Sequence, residues 1–427
     1  MYKLAFDLGT TTIVGYLCDP DEGKIVRSIS EPNAQIECGL DVLARATFKG
    51  KSEENAGYLA DLLGNQVCTM TEKLLSDIDE ASDNSIGSDS DEGSGTTVLK
   101  TGIAGTLNEP VSVVLVGNPV IMGSIAGYDF DSHGIKAVRI PGIGHYVGAD
   151  ALAASFIADK DRNGKNIIVV DIGTNTEIVL LSDDKKTATS AAAGPAMEGG
   201  NLSCGMRGET GAIEFVKLTD TVNTNCDIIY KVIDDVVPEG ICGSGYFSLL
   251  RTLLDAGIID NSGYLLSKNE ALKANVPGRI ASRICENNEC DNGCEKGRYF
   301  RLTDQIYFSQ EDIRNLQLAI SGIRAGIRIV IKEAGLTESV IDNVYVAGAF
   351  GNKITIDNLM ACGPIPAELS DKVVQVGNIA GLGACSFALE ESKITDAIKL
   401  KNEVLTISLA DHPDFRNLFL EEMLLRE

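Results

Sequence analysis

The sequence predicts an α/β protein made of two similar lobes, and three observations carry that prediction. First, a short pattern occurs twice. It reads Lys3-Leu4-Ala5-Phe6-Asp7-Leu8-Gly9-Thr10-Thr11-Thr12-Ile13-Val14 near the start, and Ile167-Ile168-Val169-Val170-Asp171-Ile172-Gly173-Thr174-Asn175-Thr176-Glu177-Ile178-Val179 further on. Each copy is an apolar strand ending in Asp, a Gly turn with small hydroxyl residues, and a second apolar strand. An internal repeat of this kind implies duplicated half-molecules. Second, 427 residues suit one large domain or about two to three modest ones. An apolar fraction of 44% with 44 glycines fits a globular α/β chain rich in tight turns. Third, later apolar strands at Asn343–Ala347 and Val373–Gly377 again run into Gly turns. The lobes are expected at residues 1–162 and 163–427.

The first hairpin sets the chemistry. Gly at a bend lets the backbone approach a ligand closely. Successive N–H groups there form an anion-binding concavity, and Thr hydroxyls add donors. Asp7 at the strand end is placed to hold Mg²⁺ through water. After Glu31–Gln35, residues 39–48 read as a loop feeding a helix, and residues 58–75 have helical spacing. The stretch 77–95 is almost entirely Asp, Glu, Ser, Gly and Asn, too polar to order itself. It is expected as a disordered acidic loop, with metal binding or docking the lesser alternative. Val111–Gly117 reads as a buried strand, and residues 141–150 as a loop opening a helix that ends near Ala158. His145 has no second His nearby and reads as a loop or interface residue.

The second hairpin offers Asp171, Gly173, Thr174, Asn175 and Glu177. Residues 191–208 follow, dense in Gly and other small residues, so the backbone there must approach something closely. A ligand or partner surface is the preferred reading; a tight turn between layers is the alternative. Gly240-Ile241-Cys242-Gly243-Ser244-Gly245 leads into a helix over 246–256, where a Gly-rich loop at a helix N-terminus attracts anions. Residues 317–334 form a second long helix. The Gly348-Ala349-Phe350-Gly351 turn would suit an adenine or ribose edge, and residues 378–384 open another helix. Cys285, Cys290 and Cys294 could hold zinc or an iron–sulfur cluster, but their spacing fits no common pattern. A thiol-bearing loop over about 280–300 is the favoured reading.

Composition narrows the partners. A net charge of −24 argues against nucleic acid or an anionic membrane surface, and the absence of Trp argues against base stacking. No apolar stretch is long enough to span a bilayer. Met1 leads straight into a strand, which gives no signal peptide and a cytoplasmic expectation. Eleven scattered cysteines read as reduced thiols.

With these motifs in view, the chain resembles the actin, sugar-kinase and Hsp70 superfamily of ATPases. Phe6–Thr12 is similar to its first phosphate motif, Val170–Glu177 to its second, and Val344–Asn352 to its adenosine motif. Ala193–Glu214, Gly240–Gly245, Val376–Ala384 and Leu409–Phe415 together resemble the ATPase region of the reductive activators of corrinoid proteins, nearly end to end. The resemblance implies an actin-like ATPase fold: two duplicated RNase H-like lobes with a nucleotide cleft between them. It implies ATP hydrolysis with Mg²⁺, driving the uphill reduction of Co(II) to Co(I) on a corrinoid protein of a methyltransferase system. Asp7 and Asp171 would hold Mg²⁺ or its waters, and Glu177 is the candidate to orient the attacking water. Gly9, Thr10, Thr11, Thr12, Gly173, Thr174, Asn175, Gly243 and Ser244 would contact phosphates. Gly348, Ala349, Phe350 and Gly351 would line the adenosine site. Ser203 and Cys204 would face the corrinoid partner, where a hydroxyl or thiol could approach cobalt. The ferredoxin-like domain of many family members is not matched, so a separate electron donor is expected, and a homodimer stays open. Three rivals remain: an iron–sulfur activator of the 2-hydroxyacyl-CoA dehydratase type, a small-molecule kinase, and a nucleotide-switched chaperone or scaffold.

Overall fold

Strand Lys3–Leu8 (β1) lies inside a five-stranded sheet, and Leu4, Ala5, Phe6 and Leu8 are all fully buried. It turns into Thr12–Asp19 (β2), which pairs antiparallel with Asp7 opposite Val14. Lys24–Pro32 (β3) closes the meander as an edge strand; its residues alternate between exposed and half-buried, as one solvated face requires. Val111–Gly117 (β4) returns parallel on the other side of β1, and Ile135–Arg139 (β5) lies parallel beyond it. The continuous apolar run of β4 is the pattern of a parallel strand covered on both faces. The helix Glu53–Asp83 packs on β2 and β3, joining Leu63, Val67, Met70 and Leu74 to Phe6 and Leu115 in one core. The helix Ile379–Leu389 packs on β1, β2 and β4, and its small residues allow close contact with the Ala-rich helix Ala149–Asp161.

The second sheet repeats this plan. Ile167–Asp171 (β6), Thr176–Leu181 (β7) and Lys186–Ala191 (β8) form an antiparallel meander. Ala212–Leu218 (β9), Ile228–Val232 (β10) and Gly240–Ile241 (β11) make a small sheet of order β10-β9-β11. Ile284–Cys285 (β12), Tyr299–Arg301 (β13) and Tyr307–Ser309 (β14) make another. Asn343–Ala347 (β15) then returns parallel to β6, Val373–Gly377 (β16) lies parallel to β15, and Val404–Thr406 (β17) edges β8. The two large sheets have orders β3-β2-β1-β4-β5 and β16-β15-β6-β7-β8-β17. In each, a hairpin strand with Asp at or next to its end pairs with its meander on one side and, on the other, with the first of two parallel return strands. The sequence repeat is therefore also a repeat of topology.

The computed structural model describes residues 2–39, 41–83, 110–144, 146–219, 227–286, 297–348 and 354–426. The chain divides into one unit of Met1–Asp161 with Ile379–Val404, and another of Arg162–Asn378 with Leu405–Glu427. This contact division differs from the expected lobes 1–162 and 163–427 in the placing of residues 379–404. Residues 379–404 return to the first unit because the small, apolar helix Ile379–Leu389 fits β1, β2 and β4, and the helix Ser392–Glu403 after it packs on Ala149–Asp161. The helix expected over 58–75 runs from Glu53 to Asp83, so residues 77–83 continue it rather than opening the acidic loop; residues 84–95 lie outside the described residues. The helix expected over 317–334 starts seven residues earlier, at Gln310, where Ser309 and Asp312 form a reciprocal capping box. His145, Cys290 and Cys294 lie outside the described residues. No helix among the described residues is long and apolar enough to cross a membrane.

Candidate functional site

In the first unit, Asp7 stands half-buried one residue before the end of β1, ahead of the turn at residues 9–11. That turn is held from behind. The Asn33 side chain donates to the Gly9 carbonyl at 2.8 Å, and its backbone N–H donates to the Thr11 carbonyl at 2.9 Å. Arg45 donates to the Thr10 carbonyl at 2.7 Å and to the Gly39 carbonyl at 2.9 Å. Asn118 donates to the Thr10 hydroxyl at 3.0 Å, while its oxygen caps the helix Pro119–Ser124 through Val120 and Ile121. Asp150, in the first turn of the helix Ala149–Asp161, lies close to Asp7. Loss of water around its carboxyl, then the Asp7 charge, push its pKa up to about 7. Tyr16 on β2 is raised for the same two reasons, burial first and Asp7 second. Carboxylates that feel each other's charge are the hard-oxygen donors a divalent cation prefers.

In the second unit, Asp171 ends β6 and sits directly across from Glu177 on β7. Glu177 is 6% exposed. The Thr174 hydroxyl is buried and finds no partner among the described residues, whereas the Thr174 carbonyl accepts from Gly194 at 2.9 Å. Gly348, just after β15, presses on this turn. Its φ is +89°, and a methyl group there would stand 2.6 Å from both Asp171 Oδ1 and the Ile172 carbonyl oxygen. Ala347 and Asp171 are cross-strand neighbours, so β15 delivers the third glycine turn to the second hairpin. Ala349, Phe350 and Gly351 lie outside the described residues.

The Gly-rich stretch after β8 is anchored to its own lobe. A methyl group on Gly205 would lie 1.7 Å from the Gly199 carbonyl oxygen, so the close approach there is of chain to chain. Ser203 is exposed, and both its N–H (2.7 Å) and its hydroxyl (3.0 Å) donate to buried Asp312. The Cys204 N–H donates to Tyr246 Oη at 3.2 Å, and its sulfur accepts from the Tyr307 N–H at 3.4 Å. Gly243 and Ser244 begin the helix Gly243–Asp255, with Cys242 at its N-cap donating to the Ile213 carbonyl. Cys285 is not in a loop: it is buried in β12, paired with Tyr299, because an Ile-Cys pair facing Tyr-Phe-Arg favours strand. Among the described residues no group of three His, Cys, Asp or Glu is arranged to hold a metal.

Sequence reasoning missed Asn33, Arg45, Asn118 and Asp150. Asn118 had a signal, an Asn before Pro at the end of a buried strand. Asp150 had one too, an acidic residue opening a helix. Asn33 and Arg45 had none, because their role is to bond a turn 22–35 residues away along the chain.

Comparison with known proteins identifies the family. A family described as the C-terminal domain of RACo, the ASKHA domain, matches residues 165–427, and one described as the RACo middle region matches residues 2–163. The corrinoid activation enzyme RamQ of Eubacterium limosum is 31% identical over 441 residues, covering 97% of this chain and 69% of that protein. A Co(II) methylated amine-specific corrinoid protein reductase of Methanosarcina barkeri is 28% identical over 304 residues, covering 66% of this chain and 50% of that protein. Among solved structures, a reductive activator for corrinoid, iron–sulfur protein superposes with a TM-score of 0.74 at 24% identity, over all of this chain and 66% of that one. The chain thus spans about half to two thirds of the length of these relatives. The fold is the actin-like ATPase fold. Over nearly its whole length, the chain belongs to the RACo family, carrying that family's middle region followed by its C-terminal ASKHA domain.

Proposed function

We propose that this protein hydrolyses ATP to drive the reduction of Co(II) to Co(I) in a corrinoid protein of a methyltransferase system, with the electron coming from a separate donor. The observation that carries the reading is the end-to-end family match, in which two relatives are named for action on corrinoid proteins. The repeated Asp-ended hairpin in two sheets of the same order supports the nucleotide part.

In this reading the Gly9–Thr12 turn grips phosphates, and Asp7 with Asp150 would hold Mg²⁺ through its waters. The donor set fits: carboxylates and hydroxyls only, with the Asp150 carboxyl pushed up to about 7 by burial first and the Asp7 charge second, a state a divalent charge would relieve. Bound Mg²⁺ would neutralise phosphate charge during transfer to water. Asp171 and Glu177 stand side by side on the second hairpin, where Glu177 would orient the attacking water and the Thr174 hydroxyl, without a partner among the described residues, would meet a ligand oxygen. Ser203 and Cys204 would face the corrinoid partner, with Asp312 and Tyr246 fixing their positions.

The test is ATP turnover with and without candidate corrinoid proteins poised as Co(II), alongside the absorbance of Co(I) when a low-potential donor is added. We expect turnover to rise with one of them and Co(I) to appear only with ATP. Turnover indifferent to every corrinoid protein would reject the reading.

A further inference from the structure

The three carbonyls of the first hairpin turn are all taken up by one short segment of the chain. Gly9 and Thr11 bond to Asn33, and Thr10 bonds to Arg45. Both side chains are buried, each at 1% relative exposure. Asn33 is itself fixed, since its side-chain oxygen accepts from the Gln35 N–H at 2.9 Å. Arg45 is fixed by the helix Val42–Lys49, which Asp41 caps through the Ala44 N–H, and by its second bond to Gly39.

We infer that Arg45 is a positioning residue for polyphosphate: with Asn33 it holds the Gly9–Thr11 carbonyls on one side of the turn and lends a buried positive charge to its other side. Two arguments support this. Peptide N–H and C=O groups point in opposite directions, so pinning successive carbonyls behind a turn commits its amides to the front, the arrangement of an anion-binding nest. The choice of Arg is also informative. A neutral amide suffices to cap a carbonyl here, as Asn33 does for Gly9. Burying a guanidinium is costly. The gain over Asn or Gln is a fixed charge in a low-dielectric setting, where it acts over a longer range than at the surface. On a chain of net charge −24, with Asp7 and Asp150 in the same unit, that charge offsets the local repulsion of phosphate.

The inference rests on the proposed role of this hairpin in phosphate binding, and the experiment separates the two. ATP, ADP, AMP and adenosine are titrated calorimetrically, with Mg²⁺, into the wild-type full chain, R45Q, R45K and N33A. We expect R45Q to weaken ATP by about tenfold or more. The loss should shrink from ATP to AMP and vanish for adenosine. R45K, which keeps the charge, should recover most of the ATP affinity, and N33A should show a smaller loss with the same dependence on phosphate number. A merely structural role would weaken all four ligands alike or leave R45K as impaired as R45Q; either result overturns the inference, as does unchanged ATP affinity in R45Q. If R45Q does not fold, R45K and N33A carry the comparison. A wild-type chain that binds none of the four rejects the nucleotide reading instead.

Discussion

Asp150 stands where two charges compete for little water. Its carboxyl titrates near 7 because burial first, and the Asp7 carboxylate second, penalise its charged form. Its folded pKa is thus above its unfolded value of 3.8. The stabilising contribution is fully present below that unfolded value and is lost as pH rises through about 7. D150N cannot ionise, so without nucleotide or metal it should be the more stable protein at pH 8, by roughly 2–4 kcal/mol, and should match wild type in acid. Thermal unfolding at several pH values checks this; a constant difference across pH would refute it. The same variant should lose roughly 10–100-fold in Mg²⁺-dependent ATP turnover, as expected when a group that orients a metal site is removed. Stability and activity would then move in opposite directions, the signature of a strained functional carboxylate rather than a packing residue.

At the level of the element, the turn after β15 shows how one glycine joins two parts of a sheet. Gly348 sits at φ +89° and against Asp171 Oδ1, so a side chain there is excluded by conformation and by space. G348A should cost roughly 1–3 kcal/mol of stability. It should also displace Asp171, weakening nucleotide binding beyond what the lost stability explains. Calorimetric unfolding together with nucleotide titration reads both effects, and an unchanged transition would mean that the turn does not press on Asp171. The Gly-rich stretch behaves differently. Gly205 is needed because the Gly199 carbonyl crosses it, and Ser203 is fastened to the cap of the helix Gln310–Glu333. Gly199, Gly200 and Gly205 are explained by packing, and the Ser203 side chain is exposed.

At the level of the whole molecule, the chain leaves its first unit at Asp161 and re-enters it at Ile379. The returning helix buries Ile379, Ala384, Cys385 and Phe387, and covers β1, β2 and β4. Ile379 and Phe387 together account for roughly 3–6 kcal/mol of burial. A fragment ending at Asp161 should therefore lack a cooperative unfolding transition, and fusing residues 379–404 to it through a flexible linker should restore one. Circular dichroism during heating distinguishes the cases; a cooperative transition in the shorter fragment would show that the helix is dispensable.

Much of this was legible in the sequence. Strand–Asp–Gly–Thr hairpins obey local rules, with alternation or runs of apolar residues, a turn glycine and a terminal carboxylate. The duplicated α/β plan, strands β1, β4, β6, β15 and β16, and the position of Asp7, Asp171 and Glu177 on the two hairpins could all be read without coordinates. Burial and long-range pairing could not. The membership of residues 379–404 in the first unit, the placing of Cys285 in a strand, the approach of Asp150 to Asp7, and the hold of Asn33 and Arg45 on the Gly9–Thr11 carbonyls depend on contacts between residues far apart along the chain. Local pattern records which face of an element is apolar. Only the folded chain decides what that face meets, and hence which charges share a site and which carbonyls are held behind a turn.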